Sequence, residues 1–91
     1  MSRRLRETNA ISEDATYEGL IFGGLDADGL DFSDCYFRQS DLRGVDLSKA
    51  NLDGASINAC KISGVLFPAE LSAPEIELSL LHGTRMRLRS K

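Results

Sequence analysis

Between residues 15 and 69 the apolar side chains recur with a period of five, dividing this stretch into eleven pentads. The third places hold Tyr17, Phe22, Ala27, Phe32, Phe37, Leu42, Leu47, Leu52, Ile57, Ile62 and Phe67, all apolar. The first places hold Ala15, Leu20, Leu25, Leu30, Cys35, Val45, Ala50, Ala55, Cys60 and Val65, with Ser40 as the single polar member. The other three columns carry five apolar residues in 33 places. In a chain that is 42% hydrophobic, 21 of these 22 inward places are apolar, which chance produces about once in ten million trials.

This spacing dictates a backbone path. Two apolar places separated by two residues share one face of an extended strand, because strand side chains alternate. The next apolar place follows three residues later, an odd step that would point outward if the chain stayed extended. A corner is therefore needed in every pentad. The fifth column supplies it with Gly19, Gly24, Gly29, Gly44, Gly54 and Gly64, residues that accept turn conformations at low cost. A helix is excluded, since five residues rotate it by about 140° and would scatter the apolar column around its surface. The chain must coil around an inward-facing apolar axis.

The pentads Ser40-Asp41-Leu42-Arg43-Gly44, Val45-Asp46-Leu47-Ser48-Lys49 and Ala50-Asn51-Leu52-Asp53-Gly54 resemble the Ala-(Asp/Asn)-Leu-x-x unit of the pentapeptide-repeat proteins. The resemblance implies an all-β solenoid, a right-handed quadrilateral β-helix with four pentads per coil and the first and third places inside. Eleven pentads then make about two and three-quarter coils, roughly 13 Å of rise at the spacing of neighbouring strands. Residues twenty apart should stack, giving columns of Tyr17, Phe37 and Ile57; Phe22, Leu42 and Ile62; Ala27, Leu47 and Phe67; and Phe32 over Leu52. Ile21, Tyr36 and Leu66 depart from the unit with bulky apolar residues in the second place.

Open solenoid ends expose strand edges and core, so the flanks should be caps. Residues 1–14 are expected to form an N-terminal cap or arm, 15–69 the repeats, and 70–91 a C-terminal helix and basic tail. Ser72-Ala73-Pro74-Glu75 reads as a capping box with proline in the first turn, and Gly83 as a stop, which predicts a helix over 73–82. Leu71, Ile76, Leu80 and Leu81 would seal the last coil, with Leu66 beneath them. The same helix offers a homodimer interface as the alternative to a plain lid, since the resemblance implies relatives that pair through their C-terminal segments. Beyond Gly83, Thr84, Met86, Leu88 and Ser90 alternate with Arg85, Arg87, Arg89 and Lys91, a strand period. Met86 and Leu88 accordingly join the cap or oligomer set. Three readings suit this tail: frayed chain, an added or exchanged edge strand, and an anion-binding arm.

Net charge is −3, distributed unevenly. The repeats carry eight acids against Arg38, Arg43, Lys49 and Lys61. Mapped onto four sides, Asp26, Asp28, Asp31, Asp34, Asp46 and Asp53 share two adjoining sides, opposed by Lys49 alone. This acidic face is the candidate partner-binding site, and a protein with a basic surface is the expected partner. The expected function is a non-catalytic interaction module or assembly subunit. The resemblance also implies an alternative, since well-studied relatives protect DNA gyrase by imitating duplex DNA with an acidic rod. A 13 Å stub spans well under one duplex turn of about 34 Å. A structural subunit of a larger homo-oligomer is the second alternative.

Catalysis is not expected. His82 is the only histidine and sits where a helix end is predicted. Cys35 and Cys60 occupy inward places without a ligand cluster, as packing residues do, and the aspartates lack a calcium-loop pattern. No cofactor and no metal are expected. The basic start, with Arg3, Arg4 and Arg6, has no interleaved aromatics to suggest direct nucleic-acid binding. No apolar run follows it, so a secretory signal is not expected. With two cysteines and no apolar stretch of membrane length, a cytoplasmic protein without membrane contact is anticipated.

Overall fold

A computed structural model describes the backbone of Arg3–Arg4 and residues 15–88. Most of the expected N-terminal cap or arm, and Arg89, Ser90 and Lys91, lie outside the described residues. In chain order the elements are β1 (Arg3–Arg4), β2 (Thr16–Glu18), β3 (Leu20–Ile21), β4 (Tyr36–Arg38) and α1 (Ala73–His82). Strand β1 runs parallel to β3, with Arg3 opposite Leu20. Strand β2 runs parallel to β4, with Thr16 opposite Tyr36 and Glu18 opposite Arg38. Isolated parallel bridges join Ile21 to Asp41, Asp31 to Asn51, Tyr36 to Ser56, Asp41 to Lys61 and Asp46 to Leu66. Within residues 15–69 every one of these pairs is twenty residues apart, so the chain passes over itself once every four pentads.

The bonds between layers repeat in register, the fifth-place N–H donating to a fourth-place carbonyl, as Gly44 to Ser63 (3.0 Å), and the second-place N–H to a first-place carbonyl, as Asp41 to Leu20 (2.8 Å). The third-place N–H donates to the second-place carbonyl of the layer above: Phe22 to Asp41 (2.8 Å), Phe37 to Ser56 (2.7 Å) and Leu47 to Leu66 (2.7 Å). The corners have a pattern of their own, in which the first-place N–H closes a turn onto the third-place carbonyl before it, as Leu30 to Ala27 (3.1 Å) and Ala55 to Leu52 (3.0 Å). The two central turn residues are the fourth and fifth places, and the fifth takes positive φ, as a type II turn requires, at nine corners but not at Lys49. Six glycines do this, and so do Asp34 (φ 58°), Gln39 (φ 52°) and Ala59 (φ 58°). At Gly54 a second demand is added, because a Cβ there would lie 2.1 Å from Asp34 Oδ1.

The enclosed axis is the apolar column read from the sequence. Third-place residues from Tyr17 to Ile57 are buried, with first-place Cys35, Ser40, Val45, Ala50, Ala55 and Cys60 beside them. Tyr17 stacks on Phe37, twenty residues on, at 5.3 Å between centroids and 25° between planes. Phe22 and Phe32 meet Phe37 edge-on at 5.5 and 5.3 Å. Ile62 and Phe67, in the last layer, are only partly buried.

Ser40 is the polar exception in the core and has a structural task. Its Oγ accepts from the Leu20 N–H at 3.3 Å and donates to the Tyr17 carbonyl at 3.1 Å. The hydroxyl is thus inserted between the two groups whose equivalents bond each other directly at eight other corners. A buried hydroxyl of this kind is stabilising only while both partners are met.

The C-terminal end is closed by α1 and the chain beyond it. Ser72 caps the helix by accepting from the Glu75 N–H at 3.4 Å, proline sits in the first turn, and Gly83 ends it at φ 75°. The expected capping box is modified: the Glu75 carboxylate accepts the Arg87 backbone N–H, at 3.0 Å. Leu71 is buried, and Ile76 and Leu80 pack partly buried on the core. Leu81 does not belong to this seal: it is 63% exposed, on the outer helix face. Leu66 is not covered by the helix either and is 57% exposed. Ser79 turns inward instead, its Oγ accepting the Ile57 N–H at 2.9 Å, while the Leu80 carbonyl accepts from Ala59 at 3.1 Å. Donors that a further coil would satisfy are met by the cap. Among the described residues no helix is long and apolar enough to cross a membrane.

Replacing Ser40 by alanine should cost about 1–3 kcal/mol, since the Tyr17 carbonyl and the Leu20 N–H lose their bridge inside the stack. Urea denaturation measures this, and an alanine variant as stable as the parent would refute the role given to the hydroxyl.

Candidate functional site

The acidic residues are first of all turn formers. In the second place, Asp26 Oδ1 accepts the Asp28 N–H (3.2 Å), Asp31 that of Ser33 (2.9 Å), Asp41 that of Arg43 (3.1 Å) and Asp46 that of Ser48 (2.9 Å). Asn51 makes the same bond to the Asp53 N–H, at 3.1 Å, with an amide oxygen. Each is a local side-chain turn that holds the corner. The negative charge is not needed for it, as Asn51 demonstrates.

Environment separates these carboxylates. Asp41 holds Arg43 through two side-chain contacts, Nε to Oδ1 at 2.9 Å and Nη2 to Oδ2 at 2.7 Å. The guanidinium beside it lowers the Asp41 pKa from 3.8 to about 2. Asp46 accepts the Ser48 hydroxyl at 2.6 Å, and that bond, with the Ser48 N–H, holds its pKa below the ordinary value. Asp26, Asp28, Asp31 and Asp46 are exposed.

Asp34 and Asp53 are placed differently, under the C-terminal tail. The Met86 carbonyl accepts from Gly54 at 2.6 Å and the Met86 N–H donates to Ala55 at 2.7 Å. This seats the segment on the last layer, with the Met86 side chain fully buried. Arg85 Nη1 reaches Asp34 Oδ1 at 3.1 Å, and Arg85 Nε donates to the Tyr36 hydroxyl at 2.9 Å, with Nη2 on the same oxygen. Arg85 also lies over the Tyr36 ring, 5.0 Å from its centre, and Arg38 lies at 5.0 Å as well. Asp53 accepts the Leu88 N–H at 3.1 Å and stands 3.9 Å from Arg87 Nη1. Leu88 is half-buried against the core.

The acidic face therefore differs from the sequence expectation in one respect. It is opposed by Arg85 and Arg87 as well as Lys49, and the tail's cations divide it into two parts. Asp34 and Asp53 belong to the tail's seat, whereas Asp26, Asp28, Asp31 and Asp46 face solvent. Sequence reasoning also missed Ser56. It occupies an outward second place yet is buried, accepting from Arg38 Nη1 at 2.9 Å and donating to the Gly83 carbonyl at 2.7 Å. Tyr36 was missed as a cation platform. Opposite charges on the tail's outward places and at Asp34 and Asp53 were the signal that could have brought the tail to Tyr36, whereas the local pattern holds none for Ser56.

The seating energy is dominated by Met86, whose burial is worth about 1.5–3 kcal/mol. The flanking ion pairs are exposed on both partners, 41% and 41% for Arg85 with Asp34 and 61% and 47% for Arg87 with Asp53. Such pairs contribute at most about 1 kcal/mol each, and salt weakens them. Cys35 and Cys60 are free and buried, and burial pushes the Cys60 thiol up, away from thiolate reactivity. His82 is exposed in the last helical turn.

Because the folded pKa of Asp41 is depressed, its ion pair stabilises fully above the unfolded value of 3.8 and is lost as pH falls towards about 2; acid binds first to the unfolded state. The stability difference between the parent and Asp41→Asn should shrink across this window. A carboxyl titration of Asp41 by NMR should find its midpoint near 2, and a midpoint at the ordinary value would disprove the pairing.

Comparison with known families and proteins agrees with the period. A family model described as pentapeptide repeats matches residues 31–67 in eight copies. No curated protein and no solved structure matches the chain significantly. The match falls on the layers whose corners, second-place turns and twenty-residue pairing have just been described, and across that stretch the chain carries pentapeptide repeats.

Proposed function

We propose that the stack is a right-handed quadrilateral β-helix of about two and three-quarter coils, and that it serves as a rigid, non-catalytic interaction module in the cytoplasm. Its docking surface is the exposed group Asp26, Asp28, Asp31 and Asp46, and its partner is a protein with a basic surface. The observation that carries this reading is Asn51. An amide there makes the turn bond that aspartate makes at three neighbouring corners. The charges at Asp26 and Asp46 are thus surplus to the turn bonds and available for recognition.

Rigidity matters to the mechanism. The corners are pinned by backbone and side-chain bonds, so little conformational freedom is lost when the face docks. Complementary charge then speeds the encounter and rejects partners of the wrong sign. Arg85 and Arg87 interrupt the acids at Asp34 and Asp53, which suits a local docking patch better than a continuous imitation of duplex DNA.

The triple substitution Asp26→Asn, Asp31→Asn and Asp46→Asn separates charge from structure, because each amide keeps the turn acceptor. The parent and the triple variant should melt within a few degrees of each other. Affinity capture from the native host, quantified by mass spectrometry, should return a basic partner with the parent and at least about tenfold less with the variant. Equal recovery by both proteins would reject the proposal.

A further inference from the structure

The tail's seat is a binding site already filled by a segment of the same chain. It has a knob hole, now holding Met86, with the Gly54 N–H and the Ala55 carbonyl on its rim. One flank carries Asp34 and Tyr36 and receives Arg85; the other carries Asp53 and faces Arg87. These features recognise an extended segment in which one apolar residue is flanked by two cations. Backbone bonds give affinity in such strand addition, and the alternate side chains give selectivity.

The attachment is narrow. Two backbone bonds at Met86, the Leu88 N–H on Asp53 and the Arg87 N–H on Glu75 hold the segment, and both ion pairs are open to solvent. The tail leaves the helix at Gly83, a left-handed residue at φ 75°.

The geometry points to this seat as a docking site for an extended basic–apolar–basic peptide segment of another protein, with Arg85, Met86 and Arg87 as a displaceable stand-in. This deepens the reading of the chain as an interaction module but uses different acids, Asp34 and Asp53. Because the stand-in is tethered, an external segment competes against an effective concentration of about a millimolar. The seat is therefore gated by its own tail, and a partner gains access in proportion to how far the tail is released.

The full chain tests this. A labelled peptide copying residues 84–88 should bind Arg85→Glu/Arg87→Glu at least about tenfold more tightly than it binds the parent, since repulsion from Asp34 and Asp53 expels the variant's tail. A control peptide with both arginines replaced by glutamate should not bind. The binding should survive Asp26→Asn/Asp31→Asn/Asp46→Asn, which separates this site from the exposed acidic face. On the unaltered chain, amide NMR with excess peptide should move the Met86 signal to that of free chain while the Gly54 N–H stays protected. Equal affinity for parent and variant, binding of the glutamate peptide, or an unmoved Met86 signal at several millimolar peptide would each overturn the proposal. A stable dimer whose tails are exchanged would do the same, because the seat would then serve a second copy.

Discussion

The twenty-residue register is the constraint on which everything else rests. A pentad alone is a short strand and a corner, too small to bury its apolar side chains or to satisfy its backbone. Only when four pentads bring the chain back over itself do the third-place N–H groups find the carbonyls of the next layer, and the aromatic side chains find each other. The inward column and the hydrogen-bonded wall are therefore one cooperative unit. Turn chemistry serves the same end, for the second-place acceptor and the fifth-place left-handed residue hold each corner at the angle the next layer needs.

A stack of this kind must stop somewhere, and its end is where the molecule becomes individual. Helix α1 and the segment after it close the last layer by imitating parts of a missing coil. Ser79 and Leu80 supply acceptors for Ile57 and Ala59, and Met86 supplies a knob and a pair of backbone bonds. The imitation brings two arginines over two aspartates. Closure and a cluster of paired charges thus occupy the same surface, and this ties the stability of the end to the contacts made there.

The parts of this architecture legible in the sequence are those governed by short-range periodicity. The alternating columns give the inward residues, the glycine column gives the corners, and Ser72, Pro74 and Gly83 bound the helix over Ala73–His82. What sequence reasoning misplaced depends on contacts between distant segments. Ser56 is polar and stands in an outward place, and Ser79 is a polar residue within the helix, yet both lie where the cap meets the last layer and needs hydroxyl groups. Leu66 and Leu81 are apolar and read as sealing residues, but the cap bonds to Asp53, Gly54, Ala55, Ile57 and Ala59 and leaves them outside. The six aspartates were grouped by side. Only the path of the tail separates Asp34 and Asp53 from the rest.

The alignment of layers also restricts how such a chain can change in length. An insertion or deletion of five residues within the repeats preserves which side chains point inward, yet rotates everything downstream by one wall of the tower. Where the change falls between Asp34 and Asp53, Asp53 would no longer stand above Asp34, and the arginines of the tail would meet a different wall. A change of twenty residues restores the alignment and merely alters the height. Length variation that keeps the tail over its acids is therefore quantised in whole storeys, whereas variation in fives moves that junction around the perimeter.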